Sequence, residues 1–214
     1  MNVRRYSILA LILAIYAGCC AAQGVQLATL FNAVRLNDLN TVRLALDRGY
    51  DVNSADADGN TLLTIASREG HASIVKMLID RKAAVNQRNG LGETPMMLAA
   101  LQGHFNVVRA LRAARAEVNQ SGWTALHYAA YSGHVRICKY LLDQEADIDA
   151  RSPNGTTPLM MAVRQAHFPV VKLLLWEVAD PNLRTDDGAS ALKWAIRGKH
   201  ADIIKLLRDA GALE

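Results

Sequence analysis

The feature that most constrains this chain is a threonine that returns at near-constant spacing. Thr61, Thr94, Thr124, Thr157 and Ser190 follow one another at intervals of 33, 30, 33 and 33 residues. A glycine stands two places before each, at Gly59, Gly92, Gly122, Gly155 and Gly188. His71, His104, His134, His167 and His200 keep the same intervals. Aliphatic pairs such as Ile74-Val75, Val107-Val108 and Val170-Val171 come shortly after each histidine. Phrases such as Val85-Asn86, Val118-Asn119 and Ile148-Asp149 then close each unit. Self-similarity at this period is the mark of a tandem array, and it takes precedence over any local reading.

Each unit reads as two short helices. A glycine turn leads to Thr94-Pro95 or Thr157-Pro158. There a threonine hydroxyl caps free backbone N–H groups, and a proline at the first helical position forfeits no hydrogen bond. Alanines such as Ala99-Ala100 and Ala129-Ala130 let the first helices approach closely. The second helices carry larger aliphatics, among them Ile203, Ile204, Leu206 and Leu207. One unit cannot bury such a face alone, so several must stack to make a core.

The segment Gly122-Trp-Thr-Ala-Leu-His-Tyr-Ala-Ala-Tyr-Ser-Gly-His134 resembles the ankyrin repeat, with Ala125 where the family usually has proline. The resemblance runs over residues 27–214. It implies an all-α repeat solenoid of helix pairs with short β-hairpin fingers. Residues 23–214 then form one domain of about six repeats, the first and last incomplete. It also implies a partner protein bound on the concave face of fingers and first helices, and histidines that bridge adjacent repeats.

Two departures from the pattern stand out. The unit between Thr94 and Thr124 is three residues short, and the loss falls between Asn119 and Gly122, in a finger. The glycine expected after each second helix survives at Gly49 and Gly211, while Lys82, Arg115, Glu145 and Val178 take its place elsewhere. A left-handed backbone at those four positions would cost about 1–2 kcal/mol each, and most at β-branched Val178.

Residues 1–22 read as an export signal. Arg4 and Arg5 precede the apolar run at residues 8–17, and the small residues of Gly-Cys-Cys-Ala-Ala follow. These are the three parts of a secretory signal peptide. Small side chains at Cys20 and Ala22 place cleavage after Ala22. Ala17-Gly18-Cys19 is similar to the end of a bacterial lipobox, although Tyr16 stands in the usual leucine position. Acylation at Cys19 would make the chain a lipid-anchored envelope protein, the only route to a membrane that the sequence offers.

Composition removes several functions. The chain has 24 basic and 20 acidic residues, and setting Arg4 and Arg5 aside leaves 22 against 20, too little excess for a nucleic-acid partner. Beyond residue 22, Cys138 is the sole cysteine, so no disulfide framework is available. Five histidines share one recurring slot and His127 occupies another. Cys138 sits where the other repeats have Val75, Val108, Val171 and Ile204, which makes it a core position. No metal, cofactor or small-molecule substrate is expected. No HExxH, P-loop, GxSxG or CxxC pattern supports an enzyme.

A binding surface remains. Register places Asn60, Arg68, Leu91, Leu101, Trp123, Tyr131, Thr156, Arg164, Ala189 and Arg197 among the exposed finger and first-helix positions. Leu91, Leu101, Trp123 and Tyr131 are large apolar groups on adjacent repeats, and aromatic residues and arginine often form interface hot spots. Trp123 and Tyr131 can equally serve to cover the gap left by the shortened finger. Arg68, Arg164 and Arg197 recur on the same face and suit an acidic strip. The chain is similar in size and signal to small ankyrin proteins exported to the bacterial periplasm. That likeness implies a non-enzymatic adaptor for another protein in the envelope. Its task could be to neutralise a secreted toxin effector, to assist a periplasmic oxidative-stress enzyme, or to act as an envelope tether.

Overall fold

The computed structural model describes residues 27–213 in two compact units, which meet in sequence between Asp51 and Val52. Residues 1–22, read above as an export signal, lie outside the described residues. So does the question of whether Cys19 is acylated.

The first unit holds helix α1 (residues 27–35) and helix α2 (Leu39–Asp47). Asp38 caps α2 by accepting the Thr41 N–H at 3.1 Å and the Thr41 hydroxyl at 2.6 Å. Leu30, Phe31 and Val34 of α1 and Val42 and Leu46 of α2 are buried.

The second unit holds five helix pairs. They are α3 (Leu62–Arg68) with α4 (Ala72–Asp80), α5 (Pro95–Leu101) with α6 (Phe105–Ala113), and α7 (Ala125–Tyr131) with α8 (Val135–Asp143). Then come α9 (Pro158–Arg164) with α10 (Phe168–Trp176), and α11 (Ala191–Gly198) with α12 (Ala201–Asp209). First helices pack on first helices, α3 on α5 on α7 on α9 on α11. Second helices likewise run α4 on α6 on α8 on α10 on α12. This is the all-α repeat solenoid that the spacing implies.

The threonine register does what its chemistry predicts. Thr61, Thr94, Thr124, Thr157 and Ser190 accept N–H groups three residues on, at 3.1, 3.4, 3.5, 3.4 and 3.2 Å. Helices α4, α6 and α10 bury two adjacent aliphatics and a third one turn later, as in Ile74, Val75 and Leu78, or Val170, Val171 and Leu174, while α8 has Cys138 in the second place and α12 buries Ile203 and Leu207. That is the stripe expected of a helix covered on one side.

Two ladders of polar bonds fix the register between repeats. In the first, a side-chain oxygen takes the backbone N–H of the next unit. Asn53 accepts from Ala84 at 2.8 Å, Asn86 from Glu117 at 2.9 Å and Asn119 from Asp147 at 2.8 Å. Asp149 accepts from Asp180 at 3.1 Å and Asn182 from Leu213 at 2.8 Å. The residue that closes each repeat is therefore the bolt to the next one. In the second ladder, histidine Nε2 donates to a carbonyl at the end of the preceding first helix. His104 reaches Arg68, His134 reaches Leu101 and His167 reaches Tyr131, at 3.0, 3.1 and 2.9 Å. Each ring lies over Gly70, Gly103 or Gly133, where an added Cβ would come within 2.5, 2.6 or 2.6 Å of it. Ala166 holds the next such slot, with φ of 57°. His200 lies over Gly198 instead, and no bond to the Arg164 carbonyl forms.

The fingers are tighter than the hairpins expected. Among the described residues the β content is two isolated bridges, Ala55 with Thr61 and Arg184 with Ser190. Asp56, Asn89, Ser152 and Thr185 each donate a backbone N–H to the residue four places on, closing a turn rather than a ladder. The shortened finger at residues 118–123 makes only bends.

Three of the expected surface positions are buried, namely Asn60, Thr156 and Ala189. The turns explain why. The Asn60 side chain donates to Asp56 and accepts from Asn89, and the Thr156 hydroxyl donates to Asn154. The Ala189 N–H donates to the Thr185 hydroxyl. The Asn60 and Thr156 side chains and the Ala189 backbone hold the finger turns together instead of facing outward.

Lys82, Arg115, Glu145 and Val178 all have positive φ, at 66°, 64°, 64° and 69°. Val178 is 82% exposed, so its side chain returns little packing for the strain. Replacing Val178 with glycine should raise the unfolding free energy by about 1 kcal/mol. A denaturant midpoint that falls or stays fixed would show that the valine makes a compensating contact.

Candidate protein-binding site

The first-helix face carries an apolar cleft of about 190 Å³, lined by Leu101, Trp123, His127, Tyr128, Tyr131 and Met161. These residues come from three consecutive repeats. Leu101 ends α5, Trp123 precedes α7, and His127, Tyr128 and Tyr131 lie along α7. Met161 comes from α9. Trp123 fills the register position of Asn60 and Thr156, next to the finger that lacks three residues.

The floor is rigid. The His127 Nδ1 accepts the Thr124 N–H at 3.2 Å, and its Nε2 lies 3.0 Å from the Thr156 carbonyl. A carbonyl only accepts, so Nε2 carries the proton and the ring is neutral. Burial pushes the His127 pKa down to about 4, against hydrogen bonds to Thr156 and Ala150 that work the other way. Trp123 meets this ring edge-on, with centroids 5.2 Å apart and planes at 77°. Tyr128 donates its hydroxyl to Glu93 at 3.1 Å. Burial first, and then the Glu93 charge, raise its pKa, so it stays a neutral donor.

The structure divides the residues singled out from sequence. It brings Leu101, Trp123 and Tyr131 to one cleft, with Leu101 and Trp123 half-buried and Tyr131 39% exposed. Leu91, 85% exposed, lies instead with Arg68 in a polar groove between the first two fingers, beside Asp58, Asn60, Asn89 and Glu93. Arg68 is paired there with Glu69 at 3.1 Å. Arg164 is exposed and stands over the Trp194 ring at 5.8 Å, one helical turn from Met161. Arg197 is exposed on α11. Sequence reasoning missed Tyr128, His127 and Met161 as cleft residues. The signal for Tyr128 was its place one turn before Tyr131.

Cys138 is fully buried in α8, and burial pushes its thiol up to about 12, so it is neither a thiolate nor accessible. Cys138→Val should change stability by less than about 1 kcal/mol, because valine fits the same slot in three other repeats. A large drop in melting temperature would contradict this. Among the described residues no three His, Cys, Asp or Glu side chains are grouped to hold a metal ion. Asn119, part of a potential glycosylation sequon, has both ends of its amide engaged, with Glu145 at 2.7 Å and Asp147 at 2.8 Å.

A large aromatic group is exposed on a second helix. Trp176 is 81% exposed at the end of α10, in the register position where Asp143 and Asp209 pair with Lys139 and Lys205 at 2.7 Å.

Comparison with known proteins agrees with the architecture. The family model for ankyrin repeats, in three copies, matches residues 6–89, 30–121, 82–152, 111–185 and 147–213. Among solved structures, the crystal structure of the human ASB11 ankyrin repeat domain is similar, with 27% sequence identity and a TM-score of 0.80. The match covers 86% of this chain and 84% of that one. No match is found among the curated proteins. Ankyrin repeats are in general protein–protein interaction modules and are typically non-enzymatic. With the family pattern matched over most of its length, and the helix pairs stacked as the pattern requires, this chain belongs to the ankyrin-repeat family.

Proposed function

We propose that this chain is an exported adaptor that binds another protein on its first-helix face, centred on the cleft of Leu101, Trp123 and Tyr131. The cleft itself carries the reading: apolar side chains line a depression where the finger is short, and Tyr131 stays partly in water. Export is supported by the basic, apolar and small-residue segments of residues 1–22. It puts the adaptor in the periplasm, with a lipid anchor as the variant that Cys19 would create.

Two measurements test the reading. Mass spectrometry of the envelope fraction should find a mature chain beginning at Gln23, and a chain that retains residues 1–22 would refute export by cleavage. Affinity capture with the tagged full-length chain should recover a protein that the Tyr131→Ala chain fails to hold. Equal recovery by both chains would move the interface off this face.

A further inference from the structure

We infer that the partner segment read by this face is an extended acidic stretch with one bulky apolar side chain as its anchor. The inference rests on the adaptor role proposed above and specifies the chemistry of the partner.

The cleft sets the anchor. Its volume of about 190 Å³ falls below the roughly 300–1,000 Å³ of small-molecule pockets. It suits one leucine, methionine or phenylalanine side chain. Two of the polar side chains that line it already have partners: His127 is bonded at both ring nitrogens, and Tyr128 is bonded to Glu93. A polar anchor would find neither of these groups free, while an apolar one displaces water at no such cost.

Charge sets what flanks the anchor. Helices α9 and α11 contain no aspartate or glutamate, and they present Arg164, Lys193 and Arg197 on exposed positions. The two acids on the neighbouring finger face other groups than Arg164 and Arg197. Asp186 lies 3.6 Å from Arg151, and Asp187 accepts the Thr185 hydroxyl. On the other side of the cleft, by contrast, Arg68 is paired with Glu69, and Glu93 is anionic. Asp187 keeps its negative charge and answers that of Lys193, so the positive charge left for a ligand is that of Arg164 and Arg197, which runs in one direction from the cleft, across α9 to α11.

Geometry sets the spacing. Packed helices lie about 8–10 Å apart and an extended chain advances about 3.3 Å per residue, so one repeat spans about three residues of ligand. Tyr131, Arg164 and Arg197 hold equivalent positions in successive repeats. An anchor beside Tyr131 therefore puts acids about three and about six residues away opposite the two arginines.

The test is selection of random dodecapeptides displayed on phage against the immobilised full-length chain. Enriched peptides should carry one bulky apolar residue with Asp or Glu at those two spacings. The synthetic consensus peptide should lose at least about tenfold in affinity with Tyr131→Ala and with Arg164→Glu/Arg197→Glu, and should weaken as salt rises. The charge-reversed chain should itself select Lys- or Arg-bearing peptides, which also shows that it is folded. Enrichment of acid-free peptides, affinity indifferent to either substitution, or no enrichment overturns the inference. A captured partner that is lost with Tyr131→Ala but not displaced by the peptide leaves the adaptor role standing and removes only this reading of the ligand.

Discussion

Between pH 7 and pH 4 the chain should lose about 3 kcal/mol of folding free energy that a His127→Met chain keeps. The cause is the buried ring under the cleft. His127 is fully buried, and burial lowers its pKa from 6.5 to about 4. The unfolded chain takes up a proton as pH falls through 6.5, whereas the native ring takes one only near 4. Protons in that window therefore favour the unfolded state. The contribution of His127 is complete above pH 6.5, declines toward pH 4 and is spent below it. Methionine is the informative replacement because Met97 and Met160 hold the same register position in the flanking repeats. Met97 even receives the Thr94 N–H on sulfur, at 3.4 Å, as His127 receives that of Thr124 on nitrogen. Losing the bond to the Thr156 carbonyl should make the variant less stable at pH 7 by about 1–2 kcal/mol. Urea unfolding of both chains at the two pH values gives the difference directly. Parallel losses would mean that His127 is not the group responsible. Asp149, whose carboxyl burial raises, is present in both chains and cancels.

Tyr131→Ala should weaken partner binding by about 2 kcal/mol, or roughly thirtyfold, while lowering stability by less than about 1 kcal/mol. The two aromatic residues beside the short finger differ in their surroundings. Trp123 is half-buried and rests edge-on against His127, as a cover would, whereas Tyr131 has 39% of its surface in water. A side chain with that much exposure contributes little to the fold, but it can lose all of its water beneath a partner. Calorimetric binding and thermal melts on the one variant separate the roles. A destabilised chain whose folded fraction binds normally would make Tyr131 a second cover. If neither quantity moves, the partner binds elsewhere.

Spacing made the fold legible, because each recurring residue performs a local task wherever it occurs. A threonine before a helix caps it, and paired aliphatics after a histidine face inward. The left-handed positions were legible where a glycine was missing from an expected place, as at Val178. They were not drawn from the sequence at Ala166 and Lys199, which adopt φ of 57° where Gly70, Gly103 and Gly133 stand before the histidine in earlier repeats. Exposure was the harder quantity. Asn60 and Thr156 look like surface polar residues until their side chains are seen to tie fingers. Register says which position a residue holds in its own repeat, but not which neighbour it meets once three residues are missing. Leu91, on the intact finger before the short one, lies away from the cleft, and Met161, two repeats along from Leu101, lines it.

The bolts that join repeats lie apart from the finger tips. Asn119 still reaches Asp147 at 2.8 Å although the finger directly after it is the shortened one. Finger length is thus mechanically decoupled from the stack, in the way that the teeth of a key can be recut without altering its shaft. Short insertions and deletions at these turns can redraw what the surface recognises while the helices behind it stay in register. On the binding role proposed above, a single indel at a finger would alter specificity and leave the stack folded.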